Sequence, residues 1–311
     1  MTWRPTQTPD DQAFATMKAA IERGATFWNS GEFYGQPEPT LNLQLLSRFF
    51  TKYPEYKQKV YLSVKGAANL ETLQPQGKPQ EVRKSVENII NVVGGKYIDM
   101  FECAREILLF RSPIEETIGE LAKLVKEGKI SAISLSECNA GTIRRASKVH
   151  KISAVEIEFS LWSTEARDNG VLEACKELDI PVVAYSPLGR GFLTGKITKF
   201  EDIPEGDFRR YMPRFQPQMF DQNIKLVEKI TTLAQKKNCT PAQLALAWIL
   251  HQDQWIIPIP GCTTPERLHE NMDSLKISLS ENDMKEIEEV LATFHVKGER
   301  YPNSAKIHLW G

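Results

Sequence analysis

Seven short apolar segments rich in β-branched residues recur along the chain, and stretches with apolar residues at helical spacing lie between them. They predict strands at residues 25–29, 59–65, 97–101, 130–136, 153–158, 181–185 and 255–259. Such alternation indicates a parallel sheet, which is either open and doubly wound or closed into a (β/α)8 barrel. No low-complexity tract or hydrophilic linker divides the sequence, so we expect one domain over residues 1–311.

The positions of residues suited to binding or chemistry favour the barrel. Five of them stand at or just after the end of a predicted strand, namely Asn29, Lys65, Ser136, Tyr185 and Gly261. A barrel brings all such strand ends to one mouth, whereas an open sheet binds ligands where its strand order reverses. No Gly-x-Gly-x-x-Gly motif follows an early strand, which weakens the doubly wound alternative.

A (β/α)8 barrel has eight strands, and this sequence provides seven. Residues 1–8 show no strand pattern, and the first element is a helix with start signals at Thr8, Pro9 and Asp10. We therefore expect the first barrel strand to be missing. Its absence leaves two strand edges and part of the core uncovered, unless another segment fills the gap or the working protein has a further N-terminal piece.

Charge and cysteine content exclude several classes of protein. Lys+Arg 39 nearly balance Asp+Glu 40, and no basic face indicates a nucleic acid or an anionic membrane as partner. No apolar stretch approaches the ~20 residues that span a bilayer, and the amino terminus does not resemble a signal peptide. The five cysteines and five histidines form no metal-binding or redox motif. We expect a cytoplasmic monomer, with the nucleus as an additional location, that acts on a small molecule.

Tyr34 and Lys65 form a candidate acid. Residues 28–35 read Trp-Asn-Ser-Gly-Glu-Phe-Tyr-Gly, and residues 60–65 read Val-Tyr-Leu-Ser-Val-Lys, so neighbouring strands would bring the phenol and the ammonium together. An adjacent cation lowers the pKa of a phenol by stabilising the phenolate. The alternative is a surface tyrosine and a lysine that reaches into solvent.

Two further segments suit phosphate groups. Residues 185–195, Tyr-Ser-Pro-Leu-Gly-Arg-Gly-Phe-Leu-Thr-Gly, combine Arg190 with glycines that let the backbone approach an anion, although an ordinary turn-rich loop has the same composition. Residues 257–271 predict a strand, a proline-glycine turn and a helix start that carries Thr264 and Arg267. A helix N-terminus favours an anion, while Thr264 followed by Pro265 is also a plain N-cap.

Glu156 and Glu158 lie two residues apart on one predicted strand and therefore face the same way. A carboxylate in a barrel mouth can accept a hydrogen bond from an amide-bearing ligand. Alternatively, Lys65 neutralises one of the two carboxylates. Glycosidases also use paired carboxylates, but residues two apart on one strand are too close for an inverting pair.

Taken together, these segments resemble the aldo-keto reductase family over essentially the whole chain, in particular its pyridoxal-reducing fungal branch. The matching stretches are residues 29–35, 62–66, 128–130, 134–137, 158–162, 185–195 and 259–271. The resemblance implies a (β/α)8 barrel that binds NADPH at its mouth and transfers hydride to an aldehyde. The expected reaction is the reversible reduction of pyridoxal to pyridoxine.

Family catalysis uses an Asp, a Tyr, a Lys and a His. By resemblance Tyr34 is the proton donor and Lys65 its neighbour, while Asn29 stands at the aspartate position and Ala104 at the histidine position. We expect loss of the aspartate to leave Lys65 without a counter-charge, which favours phenolate at Tyr34. Loss of the histidine widens the pocket, and a hydroxyl ortho to the aldehyde of pyridoxal can polarise the carbonyl instead. The expected substrate-binding residues are Trp3, Phe33, Ala104 and Arg105.

The resemblance also assigns a role to each cofactor-binding residue. Tyr185 is expected to stack on the nicotinamide, with Ser136 and Glu156 near its carboxamide. Since Gly261 stands where many relatives have a lysine, the preference for NADP depends largely on Arg267. Residues expected at the pyrophosphate are Leu188, Gly189, Arg190 and Gly191; at the 2′-phosphate, Thr263 and Arg267; at the adenine, Glu270 and Asn271. Ser186 is also expected to bind the cofactor.

The chain departs from the family pattern in two further places. The small hairpin and the first strand that precede Trp3 in the family are absent, and residues 106–112 form an apolar segment where the family has a polar loop near the substrate. Two other functions therefore stay open. One is an NADPH-binding regulatory protein with little turnover, as in potassium-channel β subunits, and the other is a truncated, inactive paralogue.

Overall fold

The structure, a computed structural model, describes residues 1–94, 97–104 and 112–302. Seven parallel strands form one sheet in which each strand pairs with the next in chain order. They are β1 (Phe27–Gly31), β2 (Tyr61–Gly66), β3 (Ile98–Cys103), β4 (Ile130–Ser136), β5 (Ala154–Glu158), β6 (Val182–Tyr185) and β7 (Ile256–Pro258). The seven predicted strands and their parallel order are confirmed.

Ten α-helices surround the sheet in the part of the chain that the structure describes. They are α1 (Asp10–Glu22), α2 (Leu41–Lys52), α3 (Pro79–Val93), α4 (Ile114–Lys126), α5 (Ala140–Val149), α6 (Val171–Glu177), α7 (Pro217–Lys236), α8 (Pro241–Leu250), α9 (Pro265–Met272) and α10 (Glu281–Thr293). Local sequence explains where several begin: the side chain of Thr240 accepts a hydrogen bond from the Gln243 amide, and Pro241 occupies the first turn of α8. None of the described helices is long and apolar enough to cross a membrane.

The sheet curls around a cavity of about 1130 Å³. Residues from β1, β2, β5, β6 and β7 all line it, so the two edge strands face the same space. Within the described residues β1 and β7 do not pair with each other, and the predicted gap of one strand lies between them. Apolar side chains of four helices line the cavity as well, namely Met17, Ala20, Leu45, Leu46, Leu246, Leu250, Leu268 and Met272.

One strand boundary differs from its prediction in a way that matters for the site. The first strand was expected to end at Asn29, but β1 continues to Gly31, which lies opposite Lys65 in the ladder. Asn29 and Ser30 look like loop residues in sequence, yet both side chains have polar partners inside the fold. Ser30 hydrogen-bonds to Asn42, and Asn29 to two carboxyl groups. A strand can hold polar residues when their hydrogen bonds are satisfied.

Candidate active site

Tyr34 lies on the wall of the cavity, in the turn that follows β1. A Cβ at Gly31 would come within 2.8 Å of the Tyr34 ring, so only glycine allows the phenol to fold back over the end of the strand. Trp3 stacks on Tyr34 with ring centroids 5.2 Å apart, and Phe33 meets it edge-on at 5.3 Å. The structure therefore brings the two expected aromatic substrate contacts to the phenol.

Lys65 is buried near the end of β2 and donates a hydrogen bond of 3.2 Å from Nζ to Tyr34 Oη. The same nitrogen lies 2.5 Å from Glu156 Oε1 and 3.0 Å from Glu102 Oε1. Burial alone would lower the pKa of Lys65, but the charges of Glu102 and Glu156 outweigh it and raise that pKa well above its usual value. Lys65 is therefore a permanent cation at neutral pH.

Asn29 joins the two carboxyl groups. Its Nδ2 donates to Glu102 Oε2 at 3.1 Å and to Glu156 Oε2 at 2.6 Å. Both glutamates are almost completely buried, and they come from β3 and β5 on either side of β4. The pKa of Glu102 is raised well above its usual value, chiefly by burial and then by the negative charge of Glu156.

The expectation that Lys65 lacks a counter-charge is wrong, because Glu102 and Glu156 both provide one. The expected phenolate at Tyr34 is also wrong. Burial has the largest effect on this phenol; Lys65 lowers its pKa, the two glutamates raise it, and the net result is a pKa of about 12. Tyr34 is consequently a protonated donor at neutral pH.

Sequence reasoning missed Glu102. Its predicted strand ended at residue 101, so Glu102 was not assigned a place at the mouth. One signal was available: in a parallel sheet the end of β3 lies beside the end of β2, and Glu102 is the register partner of Lys65. A glutamate inside an apolar strand next to a buried lysine is expected to pair with it.

A second charged cluster occupies the neighbouring part of the mouth. Arg190 lies 3.3 Å from Glu158 Oε2, and Arg300 forms a 2.8 Å ion pair with Glu137. The ring of Tyr301 lies 4.5 Å from the Arg190 guanidinium. Arg190 thus contacts protein groups in this structure, and its expected contact with pyrophosphate stays a prediction.

Tyr185, the residue expected to stack on nicotinamide, ends β6 and lines the cavity. Its hydroxyl donates to Glu158 at 3.4 Å and lies 3.1 Å from the Tyr301 hydroxyl. The expected carboxamide acceptor, Glu156, instead bonds to Lys65 and Asn29 with its two oxygens. Sequence reasoning did not single out Glu137, Arg300 or Tyr301; Glu137 lies far in the chain from the other two and meets Arg300 only through the fold.

The loop after β6 has the tight backbone that its glycines suggested. Residues Ser186, Gly189, Arg190 and Gly191 all have positive φ angles. A Cβ at Gly189 would come within 2.7 Å of the Trp162 ring, so packing as well as conformation requires glycine there. Leu188 is half-buried within this loop, whose amides at 189 and 191 already bond to carbonyls of residues 186 and 188.

The predicted N-cap of α9 is confirmed, since Thr264 Oγ1 accepts from the Arg267 amide. The Arg267 side chain is exposed and makes no ion pair with any described residue. Gly261 is open on the side where a Cβ would project, and Thr263 bonds to Gln12 through its carbonyl. Asn271 is buried and lines the cavity, while Glu270 pairs with Lys196 at 3.5 Å.

Two features fit NADPH. Ser136 Oγ is buried at the end of β4 without a hydrogen-bond partner in the described part of the chain, as expected for a hydroxyl that serves a carboxamide. Arg267, at the start of α9, offers its guanidinium to a phosphate. Ala104 is buried and lines the cavity at the position where the family has histidine, and Arg105 lies outside the described residues.

Comparison with known proteins identifies the class. A sequence model of the Aldo/keto reductase family matches residues 1–292. "Probable pyridoxal reductase 2" of Schizosaccharomyces pombe is 42% identical over 307 residues, which cover 97% of this chain and 92% of that protein. "Putative pyridoxal reductase" of Saccharomyces cerevisiae is 38% identical over 327 residues, 97% of this chain and 93% of its own length. The chain therefore belongs to the aldo-keto reductase family.

A third relative, "Aldo-keto reductase yakc [NADP(+)]" of Schizosaccharomyces pombe, is 41% identical over 297 residues, 94% of this chain and 86% of its own length. Among solved structures, a glycerol dehydrogenase of Gluconobacter oxydans matches with a TM-score of 0.81 at 23% identity, over 96% of this chain and 90% of that chain. This likeness supports the fold alone. Family membership makes the chain an NADP-dependent oxidoreductase that reduces aldehydes.

Proposed function

We propose that this protein reduces pyridoxal to pyridoxine with NADPH, and that Tyr34 protonates the oxygen of the reduced carbonyl. The observation that carries the proposal is the 3.2 Å contact between Lys65 Nζ and Tyr34 Oη on the cavity wall. The names of the two pyridoxal reductase relatives, at 42% and 38% identity, support the choice of substrate.

The residues around Tyr34 suit a flat aromatic aldehyde. Trp3 and Phe33 contact the phenol with a ring face and a ring edge, Phe208 stacks on Trp3, and Ala104 leaves space where a larger side chain would narrow the cavity. A pyridine ring packs well against such surfaces. We infer that the aldehyde oxygen points at Tyr34 Oη.

Each protein group has a defined task in the reaction. The cofactor supplies the hydride when it is bound. Tyr34 donates its proton to the alkoxide that forms, a much stronger base than a phenolate, so a pKa of about 12 is low enough for the transfer. Lys65 then stabilises the phenolate across the same 3.2 Å contact. The substrate's own ortho hydroxyl polarises the carbonyl, which compensates for the missing histidine.

We expect the cofactor to be bound at two ends. Tyr185 and Ser136 are our candidates for contact with the nicotinamide ring and its carboxamide. At the other end, the start of α9 and Arg267 are the candidates for contact with the 2′-phosphate. Arg267→Ala should weaken NADPH binding by about tenfold or more and leave NADH nearly unchanged, since a charge-assisted phosphate contact is worth about 1.5–3 kcal/mol. His269→Ala, an exposed change two residues along the same helix, serves as the control; equal losses for the two cofactors would contradict the role of Arg267.

The test of the reaction is NADPH consumption with pyridoxal. Tyr34→Phe should lower kcat by about 100-fold or more, because the proton donor is removed. Tyr211→Phe, on a side chain that is 70% exposed, should match the parent. Pyridine-4-carboxaldehyde, which lacks the ortho hydroxyl, should react more slowly than pyridoxal. The proposal fails if the Tyr34 variant reduces pyridoxal as fast as the parent.

A further inference from the structure

The cluster beneath Tyr34 contains one more carboxyl group than its cations can neutralise. Lys65 is the only cationic side chain that the described structure pairs with Glu102 or Glu156. All three residues are buried, at 6%, 1% and 1% exposure for Lys65, Glu102 and Glu156. Two carboxylates this close together and this far from water cannot both stay ionised beside a single cation.

The contacts of Lys65 and Asn29 show how the structure accommodates the additional carboxyl group. Lys65 Nζ contacts one oxygen of each carboxyl group, and Asn29 Nδ2 contacts the other oxygen of each. Both glutamates are therefore bridged on two sides, and Glu156 lies closer to the bridging groups, at 2.5 and 2.6 Å against 3.0 and 3.1 Å for Glu102. Burial and the neighbouring charge of Glu156 raise the pKa of Glu102, so the cluster retains a proton that an isolated carboxyl group would lose.

We propose that Glu102 and Glu156 share one proton and act as interchangeable positioning residues, which together present a single negative charge to Lys65 and so keep Tyr34 protonated. This inference rests on the proposed role of Tyr34 as proton donor. It assigns to the glutamate pair the charge that the family's aspartate would supply, with Asn29 reduced to an uncharged bridge.

Interchangeability has a direct consequence for substitutions. If Glu102 is replaced by glutamine, Glu156 ionises and still balances Lys65; if Glu156 is replaced, Glu102 does the same. Only the double substitution leaves the buried ammonium without a carboxylate. The lysine then takes its nearest acid, Tyr34 at 3.2 Å, as counter-charge, and the donor becomes phenolate.

The experiment compares four variants of the full chain. Glu102→Gln and Glu156→Gln should each keep kcat within about threefold of the parent, whereas E102Q/E156Q should lose about 100-fold with KM little changed, the scale expected for loss of a proton donor. Asn29→Asp added to the double variant returns one carboxylate to the cluster and should restore at least about tenfold. The control is E32Q/E102Q, which also exchanges two buried glutamates but leaves Glu156; Glu32 bonds to Ser85 and Asn88 instead.

A second measurement does not depend on the substrate. Phenolate absorbance titrated in the absence of cofactor, as the difference between each variant and its Tyr34→Phe partner, reports the ionisation of Tyr34. The groups that face Lys65 are Tyr34, Glu102, Glu156, Asn29 and the ring of Tyr185 at 5.7 Å, so only the carboxyl groups differ among the variants. The double variant should form phenolate at a lower pH than the parent, and adding Asn29→Asp should reverse the shift.

The outcomes separate the two proposals. If the parent fails to reduce pyridoxal but the titration follows the expected order, the proposed substrate is wrong and the glutamate pair stands. Equal losses in the two single variants and the double variant would overturn interchangeability, as would a double variant that forms no phenolate. Should the double variant fail to fold, the triple variant decides, because it carries the same two glutamines: phenolate at parental pH supports the proposal, and phenolate at lower pH overturns it.

Discussion

Two buried clusters of charge are attached to β5 at the mouth of the barrel, one through Glu156 and the other through Glu158. The first sets a single cation, Lys65, against two carboxyl groups. The second sets two guanidiniums, Arg190 and Arg300, against Glu158 and Glu137 among the described residues. The first needs a proton to balance its charges, while the second pairs equal numbers of guanidiniums and carboxyl groups within the described part of the chain. The cluster with the extra carboxyl group therefore lies beside the expected proton donor, Tyr34. The cluster with equal numbers of cations and carboxyl groups joins separate segments of the chain.

The comparison predicts that substitution of Lys65 causes the largest losses of stability and of activity. Lys65→Met leaves two buried carboxyl groups and the Tyr34 phenol without a cation. We expect a loss of about 3–5 kcal/mol in the free energy of unfolding and a fall in kcat of about 100-fold or more in the protein that remains folded. Urea unfolding and steady-state kinetics measure the two effects.

The matched control is Lys236→Met. Lys236 forms an exposed ion pair with Glu286, with side chains 60% and 37% exposed, so its loss should cost less than about 1 kcal/mol. If the two methionine variants lost the same free energy of unfolding, the buried Lys65 would contribute no more to stability than the exposed Lys236 does.

Arg300 should behave differently, because its cluster holds residues in place and transfers no proton. Arg300 is 5% exposed, and its guanidinium bridges Glu137, in the turn after β4, to Glu158 on β5. Arg300→Met should cost about 3 kcal/mol of stability while the pH dependence of kcat stays that of the parent. The control is Arg145→Met, which breaks an exposed pair with Glu115. A shifted pH dependence of kcat in the Arg300 variant would show that the second cluster also affects proton transfer.

Local signals in the sequence predicted much of the fold. The seven strands follow from apolar runs, and the caps at Thr240 and Thr264 follow from residues three apart in the chain. The same signals placed Tyr34 and Lys65 at one mouth, and the missing first strand agrees with the unpaired edges of β1 and β7 in the described sheet. These features depend on short stretches, so pattern and propensity suffice.

The charge balance could not be predicted in this way. Lys65 meets Glu156 across 91 positions of sequence, and Arg300 meets Glu137 across 163. Such pairs depend on the register and curl of the sheet, which no local pattern contains. The loss of aspartate at Asn29 looked uncompensated for this reason, although the register between β2 and β3 would have placed Glu102 beside Lys65.

The smallest expected effect is on the pH dependence of stability. It tests directly whether the first cluster, unlike the second, holds an extra proton. In the folded protein the pKa of Glu102 is raised, first by burial and then by Glu156, while in the unfolded chain a glutamate titrates near about 4.3. Between these two values the folded chain binds a proton that the unfolded chain has released, so stability falls as pH rises. Glu102→Gln removes this proton uptake. The free energy of unfolding of the variant should therefore rise relative to that of the parent as pH increases above about 4.3, by at most about 1.4 kcal/mol per pH unit.

Urea unfolding of the parent and of Glu102→Gln at a series of pH values measures that difference. Below about pH 4 both chains carry a neutral group at position 102, and their stabilities should run in parallel. At higher pH the curves should diverge in favour of glutamine. Arg300→Met provides the contrast from the second cluster, since it keeps Glu102 and should retain the downward slope of the parent. Parallel curves for Glu102→Gln and the parent across the whole range would mean that the first cluster holds no extra proton, and the two clusters would then differ in composition but not in chemistry.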